Sequence, residues 1–260
     1  MPPRPIRIAD HAAALSQCFT IVKPEGQGPF PVMVQLHGCG GRQPLHDTYA
    51  ALAVKAGVAS VIVDSFTPRG ILRQVAQMTV CTGLRLRGAE RSADLFAALH
   101  WLEGQAWADQ DRILAAGWSH GGWTIMDALA GAYTASGLID GDPAALHRLH
   151  SVFLVYPYAG VPSLTATRGW GDRRPNVFAI VGTRDAVVGQ LLPRRALDRV
   201  ARDGAAVDVL TIEGATHAFD DPDATDPRTR YSLDHTAQAQ AFFIQALNRL
   251  TPPIRNQLQA

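Results

Sequence analysis

Apolar residues along the chain occur in two arrangements. In the first they form short, nearly unbroken runs, at 31–36, 58–64, 111–118, 152–156, 177–181 and 207–212. Runs of this length bounded by turn-forming residues read as strands buried on both faces. A shorter alternating stretch at 18–23, closed by Pro24, Gly26, Gly28 and Pro29, reads as an outer strand. In the second arrangement apolar residues recur every three or four positions, as in a helix with one buried face. Such stretches lie at 47–56, 87–103, 124–135, 193–203 and 231–250. Asp47 is the expected cap of the first and Gly57 its end. Leu95, Ala98, Leu99 and Leu102 form the buried stripe of the second. The third ends near Gly137, and Pro193 sits in the first turn of the fourth. Residues 1–16, Pro-rich and then Ala-rich, read as a lead-in segment.

Strands thus alternate with helices for most of the length. That order predicts an α/β fold: a mostly parallel central sheet of about seven or eight strands with helices on both faces. No repeat, low-complexity tract or linker divides the chain, so one domain over 1–260 is expected. Two long loops, 65–86 and 157–175, begin where strands end. In a parallel sheet the ligand site lies beyond the carboxyl ends of the strands. These loops are therefore expected to cover it.

Composition narrows the class. In 260 residues, 47% are apolar and 18% charged, which suits a compact globular protein rather than a disordered one. A net charge of +1 gives no electrostatic reason to expect nucleic acid or an anionic membrane as a partner. No apolar run approaches the roughly 20 residues of a membrane span, and the first residues, Met-Pro-Pro-Arg-Pro, lack the apolar core of a secretory signal. The three cysteines, Cys18, Cys39 and Cys81, are sparse and odd in number, as expected in a reducing cytoplasm. A Cys39–Cys81 bridge stays open. Nothing in the composition sets an oligomeric state.

The chemistry concentrates in Gly117-Trp118-Ser119-His120-Gly121, between the strand at 111–118 and the helix at 124–135. A strand, a sharp turn and a helix with serine at the apex form a nucleophile elbow. Gly117 and Gly121 stand where side chains would collide with the neighbouring strand and helix. A serine hydroxyl needs a base, and imidazole suits the task because its unperturbed pKa is near 6.5. His217, just after the strand at 207–212, is the candidate. A carboxylate on the far imidazole nitrogen would fix its tautomer and orientation, and Asp185, after the strand at 177–181, is the candidate. The chain order Ser, Asp, His fits this arrangement. Developing negative charge on the substrate oxygen calls for two backbone donors. The N–H of His120 is one. The other is expected from Cys39, with Gly38 or Gly40 next, in the Gly-rich loop after the strand at 31–36. His37, which opens that loop, is expected to pin it rather than to react. No spacing of His, Cys or carboxylate suggests a metal, and no phosphate or dinucleotide fingerprint follows the first strand, so no cofactor is expected.

Five segments carry a resemblance to a known family: Leu36-His37-Gly38-Cys39-Gly40-Gly41, Asp64 to Gly70, Gly117 to Gly122, Gly182-Thr183-Arg184-Asp185 and Ala215-Thr216-His217-Ala218-Phe219. Together they resemble the α/β-hydrolase superfamily, and within it the dienelactone hydrolase-like group. The resemblance implies the fold and triad just described, with a small ester or lactone as substrate. Dienelactone hydrolases proper carry cysteine at the elbow. Ser119 in its place points to general carboxylic ester chemistry.

For substrate contacts, Arg69 is a candidate holder of an anionic group, against the alternative of a solvated loop charge. Trp118 and Tyr156 are candidate pocket walls, beside Trp123, Tyr158 and Trp170. Two other functions stay open: a peptidase of prolyl-oligopeptidase type, for which no propeller segment is seen, and a non-catalytic binding protein on the same fold.

Overall fold

The computed structural model describes residues 5–133 and 137–251. In chain order the elements are β1 (Ile6–Arg7), α1 (Ile8–Leu15), β2 (Phe19–Val22), β3 (Phe30–Leu36), α2 (Pro44–Lys55), β4 (Ala59–Val63), α3 (Arg73–Thr79), α4 (Gly88–Glu103), β5 (Ala108–Trp118), α5 (His120–Leu129), β6 (Ile139–Asp140), β7 (Leu149–Val155), α6 (Thr165–Arg168), β8 (Asn176–Gly182), α7 (Leu191–Arg202), β9 (Val207–Ile212) and α8 (Leu233–Leu250). Seven strands form one sheet in the order β2-β4-β3-β5-β7-β8-β9. Only β2, at the edge, runs antiparallel to its neighbour. β1 and β6 pair separately as a short parallel ribbon.

The period-two geometry of a strand sends successive side chains to opposite faces, and this divides the core. Val32, Val34, Leu36, Ile113, Ala115, Val152 and Leu154 face one side, with buried residues of α1, α4, α5 and α7 in the same cluster. Met33, Leu114, Ala116, Trp118, Phe153 and Val155 face the other, clustered with Tyr49 and Ala53 of α2 and Phe243 and Leu247 of α8. Both faces are covered, which is why the inner strands read as unbroken apolar runs.

Several local expectations are corrected. The lead-in is not featureless: residues 8–15 are helical, and Ile8, Ala12 and Leu15, spaced four and three apart, are buried. The prolines before it masked that periodicity. α2 begins at Pro44, capped by Gln43 rather than by Asp47. The His46 ring closes the cap, with Nδ1 accepting from the Gln43 N–H at 3.1 Å. The loop 65–86 carries α3 and a small apolar core of its own, from Phe66, Ile71, Ala76, Val80 and Leu86. α5 starts at His120, directly after the serine, four residues earlier than its apolar pattern. The expected end of that helix at Ala135 lies outside the described residues.

The turn from β5 into α5 leaves no room for side chains. A Cβ on Gly117 would sit 2.5 Å from the Gly121 carbonyl carbon, and one on Gly121 would overlap the Leu36 carbonyl oxygen of β3. Gly121→Ala is therefore expected to lower unfolding free energy by ~3 kcal/mol or more, read as a fall in the urea midpoint. A wild-type midpoint would contradict this packing.

Candidate active site

β5 lies at the centre of the sheet, between β3 and β7. Ser119 follows its last residue with φ 51° and ψ −109°, a backbone conformation that costs of order 1–3 kcal/mol in a non-glycine residue. The Ser119 N–H donates to the Val155 carbonyl at 2.9 Å, and its own carbonyl accepts from Trp123 at 3.0 Å. The neighbouring strand and the first helical turn together hold the strained residue.

Asp185 and His217 arrive from β8 and β9. The Asp185 carboxylate accepts the N–H groups of Val187 and Val188 on Oδ1, both at 2.9 Å. Its Oδ2 is left for the His217 Nδ1–H, which donates at 2.8 Å. With the proton on Nδ1, Nε2 is an acceptor, and Ser119 Oγ donates to it at 2.9 Å. All three residues are buried. Three of the four non-glycine residues with positive φ among the described residues, Ser119, Tyr156 and Ala218, belong to this cluster or flank it. Tyr156 packs its ring against that of His217, with centroids 4.6 Å apart.

A cavity of about 810 Å³ opens above the serine. Gly38, Cys39 and His120 line its floor beside Ser119 and His217. Residues 81–84 and 161–162 contribute to its walls. His120 is the first residue of α5, where the N–H has no partner within the helix. The Cys39 N–H makes no backbone hydrogen bond among the described residues. The Gly38 carbonyl is held on its other side by the Gly41 N–H at 3.2 Å and the His37 ring Nδ1–H at 2.7 Å. His37 thus pins the loop, as its place in the sequence suggested.

Trp118 and Tyr156 both line the cavity, but their polar atoms turn away from it. Trp118 Nε1–H donates to Asp220 at 3.2 Å, and the Tyr156 hydroxyl donates to the same carboxylate at 2.6 Å. Tyr49 adds a third donor at 3.2 Å. Burial raises the pKa of Asp220, against the pull of these hydrogen bonds. The carboxylate ties the end of β5 and the residue after β7 to the loop that carries His217. Sequence reasoning missed Asp220, because no spacing rule links it to donors 102 and 64 residues away.

Arg69 is a correction. It does not line the cavity. The short turn over Thr67–Arg69 carries its side chain toward α4, where it donates to the Ser65 carbonyl at 2.7 Å and to both oxygens of Asp94 at 3.1 and 2.6 Å. It is a partly buried structural cation paired with the buried carboxylate of Asp94. Trp170 is likewise core, with Nε1 on Thr165 Oγ1 at 3.2 Å. Arg91, on α4, was also missed. It sits on the same stripe as Leu95, Ala98 and Leu102, and a charge on an apolar stripe was the available signal.

Cys39 and Cys81 form a disulfide, and Cys18 is a free thiol. The bridge joins the loop after β3 to the cavity wall after α3. With two of three cysteines paired, cysteine usage no longer argues for a reducing compartment. No helix among the described residues is long and apolar enough to cross a membrane.

Comparisons place this geometry among known folds. The family model described as prolyl oligopeptidase family (Peptidase_S9) matches residues 82–135, the segment that runs from the cavity wall through β5 and α5. A comparison with curated protein sequences finds no significant match. Among solved structures, the chain is similar to P91, a dienelactone hydrolase-like promiscuous phosphotriesterase from metagenomic libraries. That match has 20% identity and a TM-score of 0.70, over 89% of this chain and 92% of the other. It is also similar to esterase 2 of Thermogutta terrifontis. The propionate-bound form matches at 17% identity and a TM-score of 0.63, over 90% of this chain and 88% of the other. The form phosphorylated by paraoxon matches at 18% and 0.63, over 89% and 88%. At these identities the likeness shows the fold, which is that of the α/β-hydrolases.

The site also rests on neutral imidazoles. Burial lowers His46 to about 4 and His120 to about 3, and holds His37 well below its ordinary value, with the Arg91 charge adding to the shift at His37 and His120. Above pH ~6.5 a histidine is neutral in both folded and unfolded chains, and no penalty arises. Below it the unfolded chain takes up protons that the folded one refuses. Taken by themselves, these histidines lower the melting temperature between pH 6.5 and 4, while the buried carboxyls of Asp127, raised to about 6, and Asp220, raised by burial, act in the opposite sense. His46 alone accounts for ~3 kcal/mol of the histidine loss. Thermal melts of His46→Gln should show a shallower acid limb, and an unchanged slope would refute the assignment.

Proposed function

We propose that the protein is a serine hydrolase of small carboxylic esters or lactones, of the dienelactone hydrolase-like kind. The observation that carries this reading is the unbroken hydrogen-bonded line from Asp185 through His217 to Ser119, opening into a cavity. Its volume of about 810 Å³ falls in the ordinary range for small-molecule sites.

The chemistry follows from the proton positions. Ser119 Oγ attacks the substrate carbonyl carbon as its proton passes to His217 Nε2. The imidazolium is stabilised by Asp185, which stays ionised. The carbonyl π pair moves onto oxygen, where the Cys39 and His120 N–H groups meet it. Each such donor contributes ~3 kcal/mol to the transition state. Collapse expels the alcohol, which takes the proton from Nε2, and leaves an acyl ester on Ser119. Water then repeats the sequence: His217 removes its proton, the acid is released and Ser119 is restored. In this reading no metal or cofactor takes part. The segments 65–86 and 157–175 roof the pocket of a single domain, with Trp118 and Tyr156 as apolar wall.

The match to the prolyl oligopeptidase model over residues 82–135 favours one second reading, a peptidase using the same residues. Amides and esters share the tetrahedral intermediate, so turnover decides between them. Hydrolysis of Z-Gly-Pro-p-nitroanilide at the rate of p-nitrophenyl butyrate would replace the esterase reading.

Two measurements test the main proposal. A fluorophosphonate is expected to add to the peptide containing Ser119 and to leave Ser119→Ala unmodified. In the same assay Ser119→Ala and Asp185→Asn should lower kcat on p-nitrophenyl butyrate by at least ~10³-fold. No labelling at neutral pH would favour a non-catalytic binding protein. Across a series of p-nitrophenyl esters, acetate and butyrate should turn over faster than decanoate, and the reverse order would exclude a short-chain enzyme.

A further inference from the structure

Arg91 is fully buried, and its placement is not explained by charge pairing alone. Burying a guanidinium costs several kcal/mol unless it is paired and hydrogen-bonded. Its nearest carboxylate, Asp94, lies 3.9 Å from Nε. That carboxylate is more closely engaged by Arg69 at 2.6 Å and His11 at 2.7 Å. Burial brings Arg91 down to about 10, so it remains a cation at neutral pH.

Two of the three guanidinium nitrogens donate to acceptors. Nε donates to Ser65 Oγ at 2.9 Å. One terminal nitrogen donates to the His37 carbonyl at 2.8 Å and to His120 Nδ1 at 3.1 Å. The other lies 3.2 Å from His37 Nδ1. His37 and His120 belong to the two separate segments that carry the candidate oxyanion donors. His37 precedes Cys39 by two residues, and His120 is itself the residue after the nucleophile.

The proton positions show how the hold is transmitted. His37 Nε2 accepts the Ser65 N–H at 3.1 Å, so Nδ1 carries the ring proton. That proton goes to the Gly38 carbonyl at 2.7 Å. In a planar trans peptide the carbonyl and the following N–H point in opposite directions. Fixing the Gly38 carbonyl therefore fixes the direction of the Cys39 N–H. On the other side, His120 accepts from Arg91 at Nδ1 and is kept neutral by burial and by that same cation, so the acceptor persists across the working pH range.

We propose that Arg91 is the positioning residue of the oxyanion hole: one guanidinium grips the His37 loop and the His120 ring, and sets the spacing of the two N–H donors. The proposal rests on the serine hydrolase reading and adds to it a residue that touches neither substrate nor nucleophile. A misplaced donor weakens the bond to a charged oxygen more than the bond to a neutral carbonyl. Loss of Arg91 therefore acts on kcat rather than on KM. Lysine keeps the charge but offers a single point donor in place of the fork, and cannot hold both segments in the same geometry.

The test compares Arg91→Met and Arg91→Lys with Arg69→Met. Arg69 shares Asp94 but bonds to neither oxyanion segment. On p-nitrophenyl butyrate, Arg91→Met is expected to lose ~10- to 100-fold in kcat with KM within threefold, and Arg91→Lys a smaller part of that. The rate of Ser119 phosphonylation by a fluorophosphonate should fall in parallel. Arg69→Met should lower the melting temperature while kcat stays within threefold. If Arg91→Met does not fold, Arg91→Lys decides by the same criteria. Wild-type kcat in the Arg91 variants, or a loss no greater than that of Arg69→Met, would overturn the proposal and leave the serine hydrolase reading standing. A wild-type protein that is not phosphonylated at Ser119 would overturn both.

Discussion

The packing constraint on which the site depends is the reversal of the chain at Ser119. β5 must end and α5 must begin within one residue, with β3 on one side and β7 on the other. The Leu36 carbonyl of β3 occupies the space that a side chain at Gly121 would need, and Gly117 meets the first turn of the helix. The turn is possible only with glycine at both positions and with Ser119 at positive φ. Once made, it lifts a hydroxyl above the centre of the sheet and puts the start of a helix beneath it. The residues that follow β8 and β9 then reach that hydroxyl from the same edge, because all these strands are parallel.

Beneath this edge the protein buries polar groups that a hydrophobic core alone would exclude. Asp220 collects donors from Tyr49, Trp118 and Tyr156. Arg91 forms a second hub with Ser65, His37 and His120, and Asp94 beside it is held separately by Arg69 and His11. Such groups are costly unless satisfied, and here each is bonded to elements distant in sequence. Their common effect is geometric. One hub locks the strand ends beside the base, and the other locks the two loops beside the serine. The disulfide adds a covalent link from the Cys39 loop to the wall after α3.

Much of this was legible in the amino-acid order. The apolar runs located six strands of the main sheet to within a few residues. Five are covered on both faces and have no polar side to blur the pattern, while β9, at the edge and expected to be buried on both faces, is largely uncovered. The alternating edge strand, β2, was legible for the opposite reason. The elbow and the order Ser119, Asp185, His217 were readable because a tight turn demands glycine and because the three types have complementary proton chemistry. Helix starts were read less well: at α2 the cap is Gln43 with the His46 ring, a pairing without a strong local signature, and α5 begins before its apolar pattern does.

The sequence alone settled which residue types stand at the carboxyl ends of buried strands, since local pattern and turn chemistry are properties of neighbours in the chain. It could not settle which way a loop side chain turns. Arg69 had the right position in the chain for a ligand contact, yet a short turn sends it to Asp94, 25 residues on. Arg91, Asp220 and the Cys39–Cys81 pair owe their roles to groups between 26 and 171 residues away. Only the folded sheet brings those groups within hydrogen-bonding or bonding distance, because burial and direction are set by packing and not by adjacency along the chain.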